Sequence, residues 1–146
     1  MNHKLLFAGS FAPFTIGHKD IVDRALAMGM QVVIAVGTHP DKHDMTATDE
    51  REAQIRQVFA SEPRVTVTHY EGLTTDFART IEATALLRSV RSVKDYEYER
   101  ELADINRRLS GIETILLIAR PEYAAVSSSV VRELMRHGHD VSAFLP

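Results

Sequence analysis

Ser10, His18, Lys42, Arg88, Arg91 and the run Ser127-Ser128-Ser129 are the residues of this 146-residue chain whose types suit phosphate chemistry. Each follows a segment that reads as a strand or opens one that reads as a helix. The richest stretch is Phe7-Ala8-Gly9-Ser10-Phe11-Ala12-Pro13-Phe14-Thr15-Ile16-Gly17-His18. Pro13 biases Ala12 away from the helical region. Beyond it, Ile21, Val22, Ala25, Leu26 and Met28 recur at helical spacing, so Gly17-His18 opens a helix. The N-terminus of a helix carries unpaired N–H groups and partial positive charge, which suits a phosphate. A histidine there adds a hydrogen bond to a phosphoryl oxygen. Every one of these residues also has a plainer reading. His18 is compatible with a simple helix cap, Lys42 with a solvated loop, and the three serines with a cap. Arg88 and Arg91 could equally pair with Asp95 or Glu97. Together they describe a pocket of cations, hydroxyls and two helix N-termini. No carboxylate pair stands ready as general acid and base, and no Ser-His-Asp order is evident. Neither G-x-x-x-x-G-K-[ST] nor G-x-G-x-x-G occurs, so the phosphate cradle is of another kind. The pattern favours phosphoryl or nucleotidyl transfer by positioning and charge stabilisation over covalent catalysis.

The elements that must position these residues alternate between strand and helix. Leu5 to Ala8 is a short apolar strand, and Gln31 to Gly37 reads as a strand covered on both faces. Thr38 to Ala47 is a polar loop. Thr48 is the expected N-cap of a second helix running to about Phe59, with Asp49 and Glu50 in its first turn. Val65, Val67 and His69 alternate with threonines as a third strand. Thr74-Thr75-Asp76 is expected to cap a third helix with Phe77, Ala78 and Ile81 on one face. Ala85-Leu86-Leu87 is a short strand, followed by a charged helix from about Asp95 to Leu109 that stops at Gly111. Thr114 to Ala119 reads as a fifth buried strand. A helix through Val131, Leu134 and Met135 follows the serines, and Val141 to Pro146 leaves no room for another long one. Repeated β-α-β spacing predicts an α/β doubly wound, Rossmann-like five-stranded parallel sheet with helices on both faces. Ligands in such folds bind at the C-terminal ends of the strands, where the phosphate-type residues fall.

Composition bounds the alternatives. A length of 146 residues suits one domain, taken here as residues 1–146, and 45% hydrophobic content suffices for a core. A net charge of -3 argues against a protein built to hold nucleic acid. With no cysteines, disulfides and thiolate metal sites are impossible. The N-terminus enters a strand directly without a signal-peptide pattern, and no apolar run approaches the roughly 18 residues of a membrane span. No membrane association is expected, and the location expected is cytoplasmic.

The stretch from Gly9 to His18 resembles the G-[ST]-F-D-P-x-T-x-G-H signature of the bacterial phosphopantetheine adenylyltransferases. These belong to the H-x-G-H nucleotidyltransferase superfamily, and in this family the first His is commonly Thr, as Thr15 is here. The likeness continues in Leu87-Arg88-Ser89-Val90-Arg91, Asp95-Tyr96-Glu97-Tyr98-Glu99, Asp104-Ile105-Asn106-Arg107, Val126-Ser127-Ser128-Ser129-Val130-Val131-Arg132 and Phe144-Leu145-Pro146. It implies adenylyl transfer from ATP to 4'-phosphopantetheine, giving dephospho-coenzyme A and pyrophosphate by direct in-line attack. By the same resemblance His18 is the catalytic residue, contacting the ATP phosphates. Ser10 lies between the substrates, while Lys42 and Arg88 bind the phosphate of phosphopantetheine and Thr74 its arm. ATP is held by Ser10, the Phe11 backbone, His18, Ser89, Val90, Arg91, Glu99, Ala124, Ala125, Val126, Ser127, Ser128, Ser129 and Val130. Mg²⁺ is expected to bridge the ATP phosphates without a dedicated carboxylate cage. A homohexamer is the expected assembly.

Three departures from the family pattern stand out. Ala12 replaces an Asp, Ser89 replaces a Gly where backbone should approach ATP, and the chain stops at Phe144-Leu145-Pro146 where relatives continue into a last helix. Two competing readings remain at this point. One is a nucleotidyltransferase for another phosphorylated acceptor, such as nicotinate mononucleotide or glycerol phosphate. Thr15 and the Arg88/Arg91 segment count against it. The other is a catalytically weakened nucleotide-binding regulatory protein, for which Ala12 and Ser89 speak.

Overall fold

The computed structural model describes residues 3–38 and 47–146. Its elements run β1 (Lys4–Gly9), α1 (Ile16–Ala27), β2 (Gln31–Gly37), α2 (Thr48–Val58), β3 (Val65–Tyr70), α3 (Thr74–Thr80), β4 (Ala85–Val90), α4 (Val93–Ser110), β5 (Glu113–Ile118) and α5 (Ser128–Arg136). Short 3₁₀ turns occupy Pro121–Tyr123 and Ser142–Phe144. The strands form one five-stranded parallel sheet in the order β3-β2-β1-β4-β5. This is the doubly wound arrangement expected from the alternation. No helix among the described residues is long and apolar enough to cross a membrane.

The sheet carries a core on each face because alternate strand residues point to opposite sides. Leu5, Phe7, Ile34, Val36 and Leu87 pack against Ile21, Val22 and Leu26 of α1 and Ile55 of α2. Leu6, Ala8, Val33, Ala35 and Leu86 pack on the other face against Ala78 and Phe77 of α3 and Ile81, its C-cap. The chain order reverses between β1 and β4, the place where such sheets open a crevice. There β1 and β4 pair only at Leu5↔Ala85 and Leu6↔Leu86, whereas β1 and β2 pair from Lys4↔Gln31 to Gly9↔Val36. The C-terminal halves of β1 and β4 therefore part.

Several element ends differ from expectation. Ala47, not Thr48, is the N-cap of α2; Thr48 is already helical and its Oγ1 accepts from Arg51 Nη2 at 3.1 Å. Leu73, not Thr74, precedes α3, because the Thr74 hydroxyl is taken by the Tyr70 hydroxyl at 2.8 Å. α4 starts earlier than Asp95, since Ser92 caps it by accepting from Asp95 N at 3.1 Å. β4 runs past Leu87 to Val90, held by its register with β5. β5 itself is an edge strand, half-buried rather than buried, with Ile118 74% exposed. Met28 is the C-cap of α1 and exposed, outside the apolar stripe assigned to it. Gly111 ends α4 as expected, in the left-handed conformation at φ 76°.

Candidate active site

The site is built where β1 and β4 part. The loop after β1 turns sharply, with Phe11 at φ 48°, and buries the Phe11, Ala12 and Phe14 side chains. A Cβ on Gly9 would lie 3.2 Å from Phe11 Cζ, a contact tight enough that the ring would have to shift by a few tenths of an ångström. The loop's carbonyl oxygens are held from outside it. Arg51 of α2 donates to Ser10 O. Arg132 of α5 donates to Ala12 O at 2.7 Å, and Ser128 Oγ to Pro13 O at 2.7 Å. Arg88 of β4 reaches across the parted strands to Ala8 O at 3.0 Å. With the carbonyls tied down, the Phe11 N–H has no protein acceptor among the described residues.

His18 performs the capping role that its position allowed. Thr15 caps α1 by accepting from His18 N at 3.3 Å, and His18 Nδ1 accepts in return from Thr15 N at 2.9 Å. This reciprocal pair is a capping box with histidine in place of the usual glutamate. Because Nδ1 accepts an N–H, the neutral ring carries its hydrogen on Nε2. The ring stacks on Phe14 at 5.3 Å and meets Phe11 edge-on at 5.1 Å. Burial, reinforced by the positive charges of Arg91 and Arg88, pushes its pKa down to about 4. At neutral pH His18 is an uncharged donor whose Nε2 has no protein hydrogen-bond partner among the described residues.

Three adjoining cavities share this centre. The middle one, about 300 Å³, is lined by Ser10, Phe11, His18, Arg88, Ser89 and Arg91 among others. A second, about 240 Å³, lies on the α1 and α5 side and shares His18, Ser89, Arg91 and Ser128 with the first. Gly17, Tyr123, Val126, Ser127 and Ser129 complete its wall. A third, about 470 Å³, lies on the α3 and α4 side, shares Ser10, Arg88 and Glu99 with the first, and extends along Tyr70, Thr74 and Leu102. The two outer cavities thus sit on opposite faces of the sheet and meet at its C-terminal edge. A further, apolar hollow of about 480 Å³, lined by Pro13, Phe14, Ile55, Val58 and Leu145, borders the loop after β1.

Arg88 does not pair with Asp95 or Glu97. Its Nε and Nη2 grip Glu99 Oε2 and Oε1 at 2.9 and 2.8 Å. That hydrogen-bonded carboxylate raises the Arg88 pKa against the opposing effect of burial. Arg91 presents only its backbone to Asp95, its N donating to Oδ2 at 3.0 Å, which leaves the guanidinium for the cavities. Ser127 caps α5 by accepting from Val130 N at 3.1 Å, the Ser128 hydroxyl is spent on Pro13, and Ser129 accepts from Arg132 at 3.3 Å. The Ser128 hydroxyl is thereby committed as a donor, while those of Ser127 and Ser129 accept and keep their O–H to donate. α5 also offers a ligand the backbone N–H of its first residues, Ser128 and Ser129, which have no intrahelical acceptor.

The fold brings together Ser10, Phe11, His18, Thr74, Arg88, Ser89, Arg91, Glu99, Val126, Ser127, Ser128 and Ser129. Val90, Ala124, Ala125 and Val130 do not line these cavities; Val90 is buried in the sheet and Val130 faces outward. Lys42 lies outside the described residues. Arg51, Tyr123 and Arg132 were not singled out from sequence as site residues. Arg132 could have been found as the fourth residue after Ser128 on the same helix face, whereas nothing local marks Arg51. No group of three or more His, Cys, Asp or Glu side chains is placed to hold a metal among the described residues. Asp95 and Glu99, the carboxylates of the middle cavity, are committed to Arg91 N and Arg88. These residues do not form a protein-built Mg²⁺ cage.

The cytidylyltransferase-like family profile matches residues 6–134. A phosphopantetheine adenylyltransferase of Porphyromonas gingivalis is 51% identical over 97% of this chain and 92% of its own length. One from Bacteroides thetaiotaomicron is 46% identical over 98% of this chain and 95% of its own. A more distant one, from Thermobifida fusca, is 40% identical over 98% of this chain and 87% of its own. The likeness spans nearly the whole chain, and the chain belongs to the phosphopantetheine adenylyltransferase family of cytidylyltransferase-like proteins.

Proposed function

We propose that this protein is a nucleotidyltransferase that moves the adenylyl group of ATP to 4'-phosphopantetheine, forming dephospho-coenzyme A and pyrophosphate. The observation that carries the reading is the meeting of two cavities from opposite sheet faces at a centre lined by His18, Arg88 and Arg91. Such a centre suits two anionic substrates that must be held together against their mutual repulsion. The nucleotide occupies the cavity beside α1 and α5, with its phosphates toward the N–H groups of Ser128 and Ser129 and the Arg91 guanidinium. Phosphopantetheine occupies the cavity beside α3 and α4, its arm along Thr74 and its phosphate on Arg88. Lys42 joins Arg88 in this role by family resemblance.

The reaction needs no protein base. The acceptor phosphate is already an anion, and one of its oxygens attacks the α-phosphorus in line. As that bond forms, the bond to the β-bridging oxygen breaks and its electrons leave with pyrophosphate. Charge collects on the equatorial oxygens in between. The neutral His18, held by its cap with Nε2–H free, donates to one of them without reorganisation, the kind of preorganised donor that matters most in such steps. Ser10 and the Phe11 N–H sit between the two substrates, on a loop whose carbonyls are tied away. Mg²⁺ enters as part of the ATP substrate, held mainly by phosphates and water. A homohexamer in the cytoplasm completes the reading. Exposed Tyr96, Ile105 and Leu109 of α4, with Ile118 of β5, supply apolar surface for such an assembly.

The test is pyrophosphate release from ATP and Mg²⁺ with phosphopantetheine, nicotinate mononucleotide, glycerol phosphate or no acceptor. Release with phosphopantetheine alone, with dephospho-coenzyme A as product, is expected. Release only with another acceptor, or none at all from folded protein, refutes the reading.

A further inference from the structure

Arg51, in the first turns of α2, is buried at 5% exposed. Arginine is almost never buried unless its donors are used. Its Nη2 donates to Thr48 Oγ1 of its own helix at 3.1 Å, and its Nη1 donates to Ser10 O, 41 residues away. It lines the apolar hollow and none of the three cavities of the site. Arg51 therefore reaches the site through the Ser10–Phe11 peptide and not by touching a substrate.

The residue that follows this peptide bond is held in a costly conformation. Phe11 stands at φ 48°, and Glu82 is the only other non-glycine residue at positive φ among the described residues. The left-handed conformation crowds Cβ against a carbonyl oxygen in an L-residue. The Phe11 ring is fixed by other means, edge-on to Phe7, Phe14 and His18 with centroids at 5.2, 5.3 and 5.1 Å. Rotating the Ser10–Phe11 peptide plane would return Phe11 to negative φ with its ring still in place. The peptide is planar and trans, so its C=O and N–H point in opposite directions. The same rotation would exchange them. The bond from Arg51 to Ser10 O opposes it.

We propose that Arg51 is a positioning residue for ATP, which holds Ser10 O on the side of the hollow and so presents the Phe11 N–H to a phosphate in the middle cavity. Phe11 lines both the hollow and the middle cavity, and its N–H has no protein acceptor among the described residues. In the rotated peptide Ser10 O would take the place of that donor, setting a carbonyl against the phosphate oxygens. The inference rests on the reading of this centre as the meeting place of ATP and the acceptor.

The test is calorimetric titration of ATP and of phosphopantetheine into wild type, Arg51→Met, Phe11→Gly and the double variant, with kcat and thermal unfolding of each. Methionine is apolar and suits the hollow that Arg51 lines. Arg51→Met is expected to raise the Kd for ATP about tenfold, the effect of losing one hydrogen bond to a charged group, and to leave the Kd for phosphopantetheine within about twofold. It should lower kcat about 10²-fold, as loss of a preorganised donor does. Glycine takes positive and negative φ about equally, so in the Phe11→Gly background the same change should raise the Kd for ATP by only about twofold. An arginine that merely stabilised the fold would cost the same in both backgrounds. Should Arg51→Met fail to fold, Arg51→Lys takes its place, since lysine keeps the charge but not the fork that holds Ser10 O and Thr48 Oγ1 together. Should Phe11→Gly fail to fold, the split between the two ligands decides by itself. Unchanged ATP binding, equal losses for the two ligands, or equal losses in the two backgrounds overturn the proposal. Absence of ATP binding by wild type refutes the proposed function itself, and is seen before any variant is made.

Discussion

Replacing His18 separates the capping job its ring performs from the donor role proposed for it. Nδ1 satisfies the N–H of Thr15, a residue 1% exposed, while Nε2 is left for the substrate. In His18→Asn, Oδ1 falls near the place of Nδ1 and accepts the same N–H, but no atom reaches the place of Nε2. His18→Ala removes both. An orphaned buried N–H costs about 1–3 kcal/mol, and each lost aromatic contact about 0.5–1.5 kcal/mol. The alanine variant should therefore lose about 2–4 kcal/mol, which lowers Tm by about 5–15 °C in a chain of this size. The asparagine variant keeps the cap and loses about 1 kcal/mol of ring packing. Both forfeit the Nε2 donor, and kcat should fall about 10²–10³-fold in each. Pyrophosphate release at saturating substrates, with thermal unfolding measured in parallel, separates the two effects. If His18→Asn retains kcat within about threefold of wild type, Nε2 is not the stabilising donor that the electrostatic argument requires. If alanine and asparagine variants melt together, the capping role is refuted.

The remaining predictions concern pH and the loop. His18 has a folded pKa of about 4 against an ordinary value of 6.5, so the unfolded chain binds the extra proton between those values. Stability should therefore be complete above pH 6.5 and fall by about 3 kcal/mol on descent through the window, a slope that His18→Asn removes; identical slopes in urea titrations of both proteins would refute the shift. The acid limb of activity due to this ring should lie near pH 4 rather than 6.5, measured as kcat/KM against pH, which reports the free enzyme. Ser89 stands where the middle and nucleotide cavities meet, and its hydroxyl has no protein partner among the described residues. Ser89→Gly should lower the Kd for ATP while costing about 0.5–1 kcal/mol of stability; weaker ATP binding would show that the hydroxyl serves the nucleotide. Gly9→Ala places a Cβ 3.2 Å from Phe11 Cζ. It should cost about 1–3 kcal/mol through overpacking and lower kcat by shifting the ring against His18, and a folded variant with unchanged kcat and Tm would contradict that.

Much of this site was legible because its signals are local. Thr15 and His18 lie one helical turn apart, Ser127 and Val130 likewise, and both pairs close caps that need no other element. The strand positions of Arg88 and Ser89 followed from the apolar residues before them. What local signals missed has a common cause. Thr48 and Thr74 have the composition of caps, yet each hydroxyl goes to a partner the fold supplies, Arg51 and Tyr70. β5 is as apolar as a central strand, and only its place at the end of the strand order leaves it half-buried. The serines after Val126 read as a row of ligands, and the fold adds a second use, since Ser128 donates to the loop and Ser127 caps the helix start.

The sequence by itself determined the alternation of strands and helices, the parallel sheet that follows from it, and the rim at which phosphate-type residues collect. Periodicity and capping act over a few residues, so they can be read without coordinates. Only the tertiary structure decided which acceptor each arginine takes. Arg88, Arg51 and Arg132 each secure a carbonyl of β1 or of the loop after it, at sequence separations of 80, 41 and 120 residues. A guanidinium bonds to whatever oxygen the packed fold brings within about 3 Å, and no pattern along the chain records that distance.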